Sequence, residues 1–148
     1  MAARFLAHGE RLICLPAMGA EYVPRDSLRG LWRQYRGYGE YRARTYRRHP
    51  HSMRRSHLLP PTVLLAAACA VAGPLRRPAR LGMAVYAATL AAAGLRSGNA
   101  LVPVVLVVMH FAHGAGQIEG WVRYGPPLHL VGLEPPEGEP VYAPSLSG

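Results

Sequence analysis

Residues 101–121 read LVPVVLVVMHFAHGAGQIEGW. The first half, LVPVVLVVMHF, is apolar on every side, so a helix built from it has no face for water. The surrounding run 97–118 holds 22 residues without Asp, Glu, Lys or Arg. As a helix it reaches about 33 Å, at roughly 1.5 Å per residue. A hydrocarbon core of about 30 Å takes about 20 residues, so 97–118 qualifies as a membrane span. The second half changes character. Ala112, Gly116 and Gly120 recur every four residues, a ridge of small side chains that lets another helix approach closely. Trp121 and Tyr124 suit the far membrane interface.

Two more uncharged runs precede this one: 58–75 with 18 residues and 81–95 with 15. They correspond to about 27 and 22 Å of helix. The second is short and relies on Arg80 and Arg96 reaching outward at its ends. A buried helical bundle in a soluble protein is the competing reading, and Pro60, Pro61 and Pro103 weaken simple helices. Too few residues remain, however, to cover three such rods, so a membrane is preferred.

The chain of 148 residues carries 17 basic residues, all arginine, against 8 acidic ones, a net charge of +9. That charge is concentrated. From Arg25 to His57 there are ten arginines against Asp26 and Glu40. The block RDSLRGLWRQYRGYGEYRARTYRRHP, residues 25–50, reads as an amphipathic helix. Asp26 or Ser27 serves as N-cap. Leu28, Leu31, Trp32, Tyr35, Tyr38 and Gly39 share one face, and Arg29, Arg33, Arg36, Glu40 and Arg44 share another. Gly30, Gly37 and Gly39 make it a weak helix alone, so something must hold it. Rings at headgroup depth and arginines on phosphates suit a lipid surface, with Arg29, Arg33, Arg36, Arg44 and Trp32 as the contact residues. Nucleic acid is the rival partner, since arginine and tyrosine bind phosphate and stack bases. No nucleic-acid fold signature accompanies the block, and its place beside an apolar span explains it, so nucleic acid is unlikely as partner.

The positive-inside rule puts residues 1–57 in the cytoplasm. Arg76, Arg77 and Arg80 go against this, because three spans would place them outside. Cys14 and Cys69 form no C-x-x-C and suggest neither zinc nor a disulfide framework. His110 and His113 sit one turn apart, with Glu119 two turns further. That spacing can begin a metal site, but hydrogen bonding between helices is the stronger reading. Glu119 is placed to reach water or Arg123. The fold class is thus a mainly α membrane protein. It has a short β-like remnant around residues 12–15 and 21–23, an interfacial helix over about 27–48, and about three transmembrane helices at 58–75, 81–95 and 97–118. Residues 1–57 form the cytoplasmic part, 58–124 the transmembrane region, and the Pro- and Gly-rich 125–148 a disordered tail.

Taken in order, these pieces resemble the C-terminal end of membrane-bound bacterial family 2 glycosyltransferases of the exopolysaccharide (succinoglycan-biosynthesis) type. RFLAHGERLICLPAMGAEYVPRDSLRGLWRQYRGYGEYRART, residues 4–45, is similar to the last part of the GT-A catalytic domain, and HFAHGAGQIEGWVRYG, residues 110–125, to the last membrane span. The resemblance implies transfer of a sugar from a nucleotide-sugar donor to a lipid-linked or polysaccharide acceptor at the bacterial inner (plasma) membrane. It implies Gln34, Tyr35 and Tyr38 as acceptor-side or interfacial contacts, and Mg or Mn as cofactor of a full-length enzyme. Two departures limit it. Gln34 is followed by Gly37 and Tyr38 where processive relatives carry arginine and tryptophan. The D-x-D metal motif and the general-base carboxylate are absent, so no cofactor and no catalytic residue are expected in this chain, and it is expected to be inactive alone. The alternative is a small non-enzymatic membrane protein with a basic interfacial helix.

Overall fold

The computed structural model describes residues 9, 19, 25–49 and 54–127. The β-like runs and the tail beyond Pro127 lie outside the described residues. Within them the chain is helical: α1 (Leu28–Arg48), a 3₁₀ turn (Arg55–Leu58), α2 (Leu59–Val71), α3 (Arg76–Ser97) and α4 (Leu101–Tyr124), and no strand is present among them. Ser27 caps α1, its Oγ accepting from Gly30 N at 3.2 Å.

The helices depart from the expected spans. The run 58–75 was expected to form one long helix, but α2 ends at Val71 after 13 residues, about 20 Å. Gly73 takes a φ of 120°, open to glycine but not to ordinary residues, and Pro74 follows it. The helix at 81–95 extends backward to Arg76 and forward to Ser97, so it carries arginines at both ends. Gly98 closes α3 in the left-handed region at φ 64°. Asn99 Oδ1 then accepts from Leu101 N at 2.9 Å and starts α4. Among the described residues, α4 alone is long and apolar enough to cross a membrane by length and composition.

Packing centres on α4, which α1, α2 and α3 all touch. Tyr86 Oη and His110 Nδ1 lie 2.9 Å apart, and Gly94 faces Pro103, so α3 runs antiparallel to α4. Among the described residues of α1, Gly39, Ala43 and Tyr46 are buried, at steps of four and three. Trp32 and Tyr38, expected to meet a lipid surface, are exposed, while Gly39 and Ala43 face the partner helix.

Candidate membrane interface and the groove on α1

The contact between α1 and α4 is made by glycine backbone. A Cβ on Gly116 would sit 2.7 Å from the carbonyl carbon of Arg36 and closer still to its oxygen. One on Gly39 would stand 2.7 Å from Gln117 N and run into the His113 carbonyl. One on Gly120 would overlap the Ala43 methyl. Side chains at any of the three would push the helices apart. Gly114 plays the same part toward α2, where a Cβ would lie 2.6 Å from the Pro60 carbonyl oxygen. The small ridge Ala112, Gly116, Gly120 therefore packs helices together, and its occupant is the arginine helix.

Two ion pairs flank this seam. Arg36 Nε donates to Glu119 Oε1 at 3.0 Å and to Oε2 at 3.1 Å, with Nη2 2.8 Å from Oε2. Arg123 Nη1 pairs with Glu40 Oε1. Arg36 and Glu40 lie one turn apart on α1, Glu119 and Arg123 one turn apart on α4, so the charges alternate and match only when the helices run parallel in this register. All four side chains are a third to three-fifths exposed, so each pair contributes about 0–1 kcal/mol. Their larger effect is on register, since a slip of one turn sets arginine against arginine. Arg36, expected at the lipid surface, thus faces Glu119. Glu119, placed by sequence near water or Arg123, pairs with Arg36 and stays 37% exposed.

Buried polar atoms accompany the seam. Gln117 is fully buried, and neither of its amide atoms has a partner; Gln34 Oε1 and Trp121 Nε1 are likewise buried and unpartnered. Each such group costs about 1–3 kcal/mol. The close glycine packing must outweigh that cost.

The remaining expected residues are scattered around the outer face of α1. Arg29, Arg33 and Arg44 are exposed. Gln34 Nε2 donates to Tyr38 Oη at 2.7 Å, and the Tyr35 and Tyr38 rings meet edge to face at 5.5 Å. Among the described residues Arg25, Gly30, Arg33, Gln34, Gly37, Tyr38 and Tyr41 line an open groove of about 740 Å³. Gln34 and Tyr38 are therefore together in it, while Tyr35 and Trp32 do not line it. Arginine, phenol and amide side by side offer cationic, aromatic and hydrogen-bonding contacts, which suit an anionic or hydroxyl-rich surface.

His110 meets Tyr86 across the α3–α4 contact, the interhelix role favoured from sequence. Among the described residues no group of three His, Cys, Asp or Glu could hold a metal ion. Ahead of α2, His57 Nδ1 accepts from Arg54 N at 3.1 Å. Burial, and then the charges of Arg42 and Arg54, lower its pKa from the ordinary histidine value. The neutral ring that this hydrogen bond needs is thereby favoured, and the stability it supports is lost as pH falls through the ordinary histidine range.

Gly39, Glu40 and Arg123 are named from sequence without their part in the seam, and Ala43 is not named at all. The signal was present as Arg36-x-x-x-Glu40 against Glu119-x-x-x-Arg123. Comparison of the chain with protein-family models, curated proteins and solved structures finds no match.

Proposed function

We propose that the chain is a membrane-associated helical module whose arginine helix rests on an anionic lipid face, and that it serves the membrane side of a sugar transferase. One observation carries the membrane part. Apolar side chains stand uncovered along α3 and the first half of α4: Leu81 is 69% exposed, Leu95 83% and Leu101 66%. Exposed leucines in such number call for a cover, and hydrocarbon is the cover that fits uncharged runs such as 81–95 and 101–118. Arg29, Arg33 and Arg44 are exposed and within reach of phosphates, each adding about 1 kcal/mol near an anionic leaflet. The N-terminal side is then cytoplasmic by the positive-inside rule.

The sugar-transfer part rests on the resemblance of residues 4–45 and 110–125, with Gln34 and Tyr38 in the α1 groove as acceptor-side contacts. Nucleotide-sugar chemistry would come from a catalytic part supplied alongside, using Mg or Mn. Removing the chain from its cell should abolish incorporation of labelled sugar from a nucleotide donor into membrane glycan. Restoring it with Gln34→Ala and Tyr38→Ala together should leave incorporation low while the chain stays in the membrane. Unchanged incorporation for every donor tried would leave a non-enzymatic membrane protein as the better reading.

A further inference from the structure

Three apolar runs imply three spans, yet the helix contacts place α2 elsewhere. At its start, the Pro60 carbonyl lies against Gly114 of α4. At its end, the Ala70 carbonyl accepts from Arg80 Nε at 3.0 Å. The antiparallel pairing of Tyr86 with His110 and Gly94 with Pro103, continued back along α3, brings Arg80 level with about Gly116 and Arg76 level with about Gly120. Both ends of α2 are thus tied to the half of the molecule where α1 grips α4. Among the described residues the other half contains α3 and α4 alone, closing at Gly98 and Asn99.

Charge follows the same division. Arg36, Arg44, Arg76, Arg77, Arg80 and Arg123 gather at the α1 end, and at the opposite tip Arg96 is the arginine among the described residues. We infer that α3 and α4 cross the bilayer as a two-helix hairpin, with α1, α2 and the α2–α3 connection together on one side and the Ser97–Ala100 turn on the other. The inference rests on the membrane reading above and replaces its three spans by two. It removes the conflict between Arg76, Arg77 and Arg80 and the positive-inside rule, because those residues now share the side of the arginine helix. The uncharged part of α3, residues 81–95, is about 22 Å long, short of a core of about 30 Å. Arg80 and Arg96 at its two ends extend outward to opposite headgroup layers. The partner of this surface is hydrocarbon, and α2 lies beside the hairpin's base.

Single cysteines decide it. In the full chain with Cys14→Ser and Cys69→Ala, Arg47→Cys, Ala72→Cys and Ser97→Cys are probed one at a time. The probe is a membrane-impermeant maleimide, applied to right-side-out and inside-out vesicles. Arg47→Cys and Ala72→Cys should label in one and the same vesicle orientation and lose labelling in the other. Ser97→Cys should show the reverse. Labelling of Ala72→Cys from the side opposite Arg47→Cys would restore three spans and overturn the hairpin. Ser97→Cys labelled from the Arg47 side, or from neither side until detergent is added, would show that the tip does not cross and overturn it equally. Should all three label in a soluble fraction, the membrane reading itself fails, an outcome distinct from the other two.

Discussion

Gly116→Leu should release α1 from α4. The added Cβ would fall on the Arg36 backbone, which cannot rotate aside as a side chain could. Overpacking a core costs about 1–3 kcal/mol when side chains can shift. Here a whole helix must move, so we expect a loss of about 3 kcal/mol or more. The released α1 has Gly30, Gly37 and Gly39 in its interior and few reasons to stay helical. Thermal unfolding in detergent should show the loss, with new proteolytic cleavage among the arginines of α1. Gly37→Ala is the internal control. Nothing lies within 4 Å of a Cβ there, so stability should rise by about 0.5–1 kcal/mol from helix propensity. If Gly116→Leu melts with the parent chain, the close approach of the two helices is not what holds α1.

Val85→Asp separates lipid from water as the medium around α3. Val85 is 61% exposed and lies inside the uncharged run 81–95. In water, replacing an exposed valine by aspartate changes stability by about 0.5 kcal/mol or less. In a bilayer, aspartate at the centre of a helix costs about 2.5–3.5 kcal/mol. The variant should therefore shift out of the membrane pellet and into aggregates or degradation products, while Leu28→Asp, at the start of α1, should not. A soluble Val85→Asp chain with unchanged folding would mean that α3 already faces water.

Local signals in this sequence were readable and long-range ones were not. The Ser27 cap, the helix through the arginine block and the small ridge at Ala112, Gly116 and Gly120 all follow from spacing within one element. The purpose of the ridge does not, because small residues say that a helix approaches and not which one. The partner was written in charge. Arg36 and Glu40 match Glu119 and Arg123, but the pairs are 83 positions apart and no periodicity within a helix reveals them. The three uncharged runs translate only in part, since among the described residues one helix alone is long and apolar enough to cross a membrane. An absence of charge measures how long an apolar run is, whereas Gly73 and the tie between Arg80 and Ala70 decide where the helix stops and how it lies. In the groove, Gln34 and Tyr38 fall one turn apart and so meet, while Tyr35 turns away from it.

The central claim, that lipid covers α3 and α4, is tested most directly by fractionating the unaltered chain. Cells expressing it are lysed, and membranes are washed with high salt and then with alkaline carbonate. Salt screens surface charge, with a Debye length of about 3 Å at 1 M, and so strips proteins held by arginine alone. The inserted hairpin should stay in the pellet through both washes and leave only with detergent. Release by salt or carbonate as a monodisperse monomer would contradict the account.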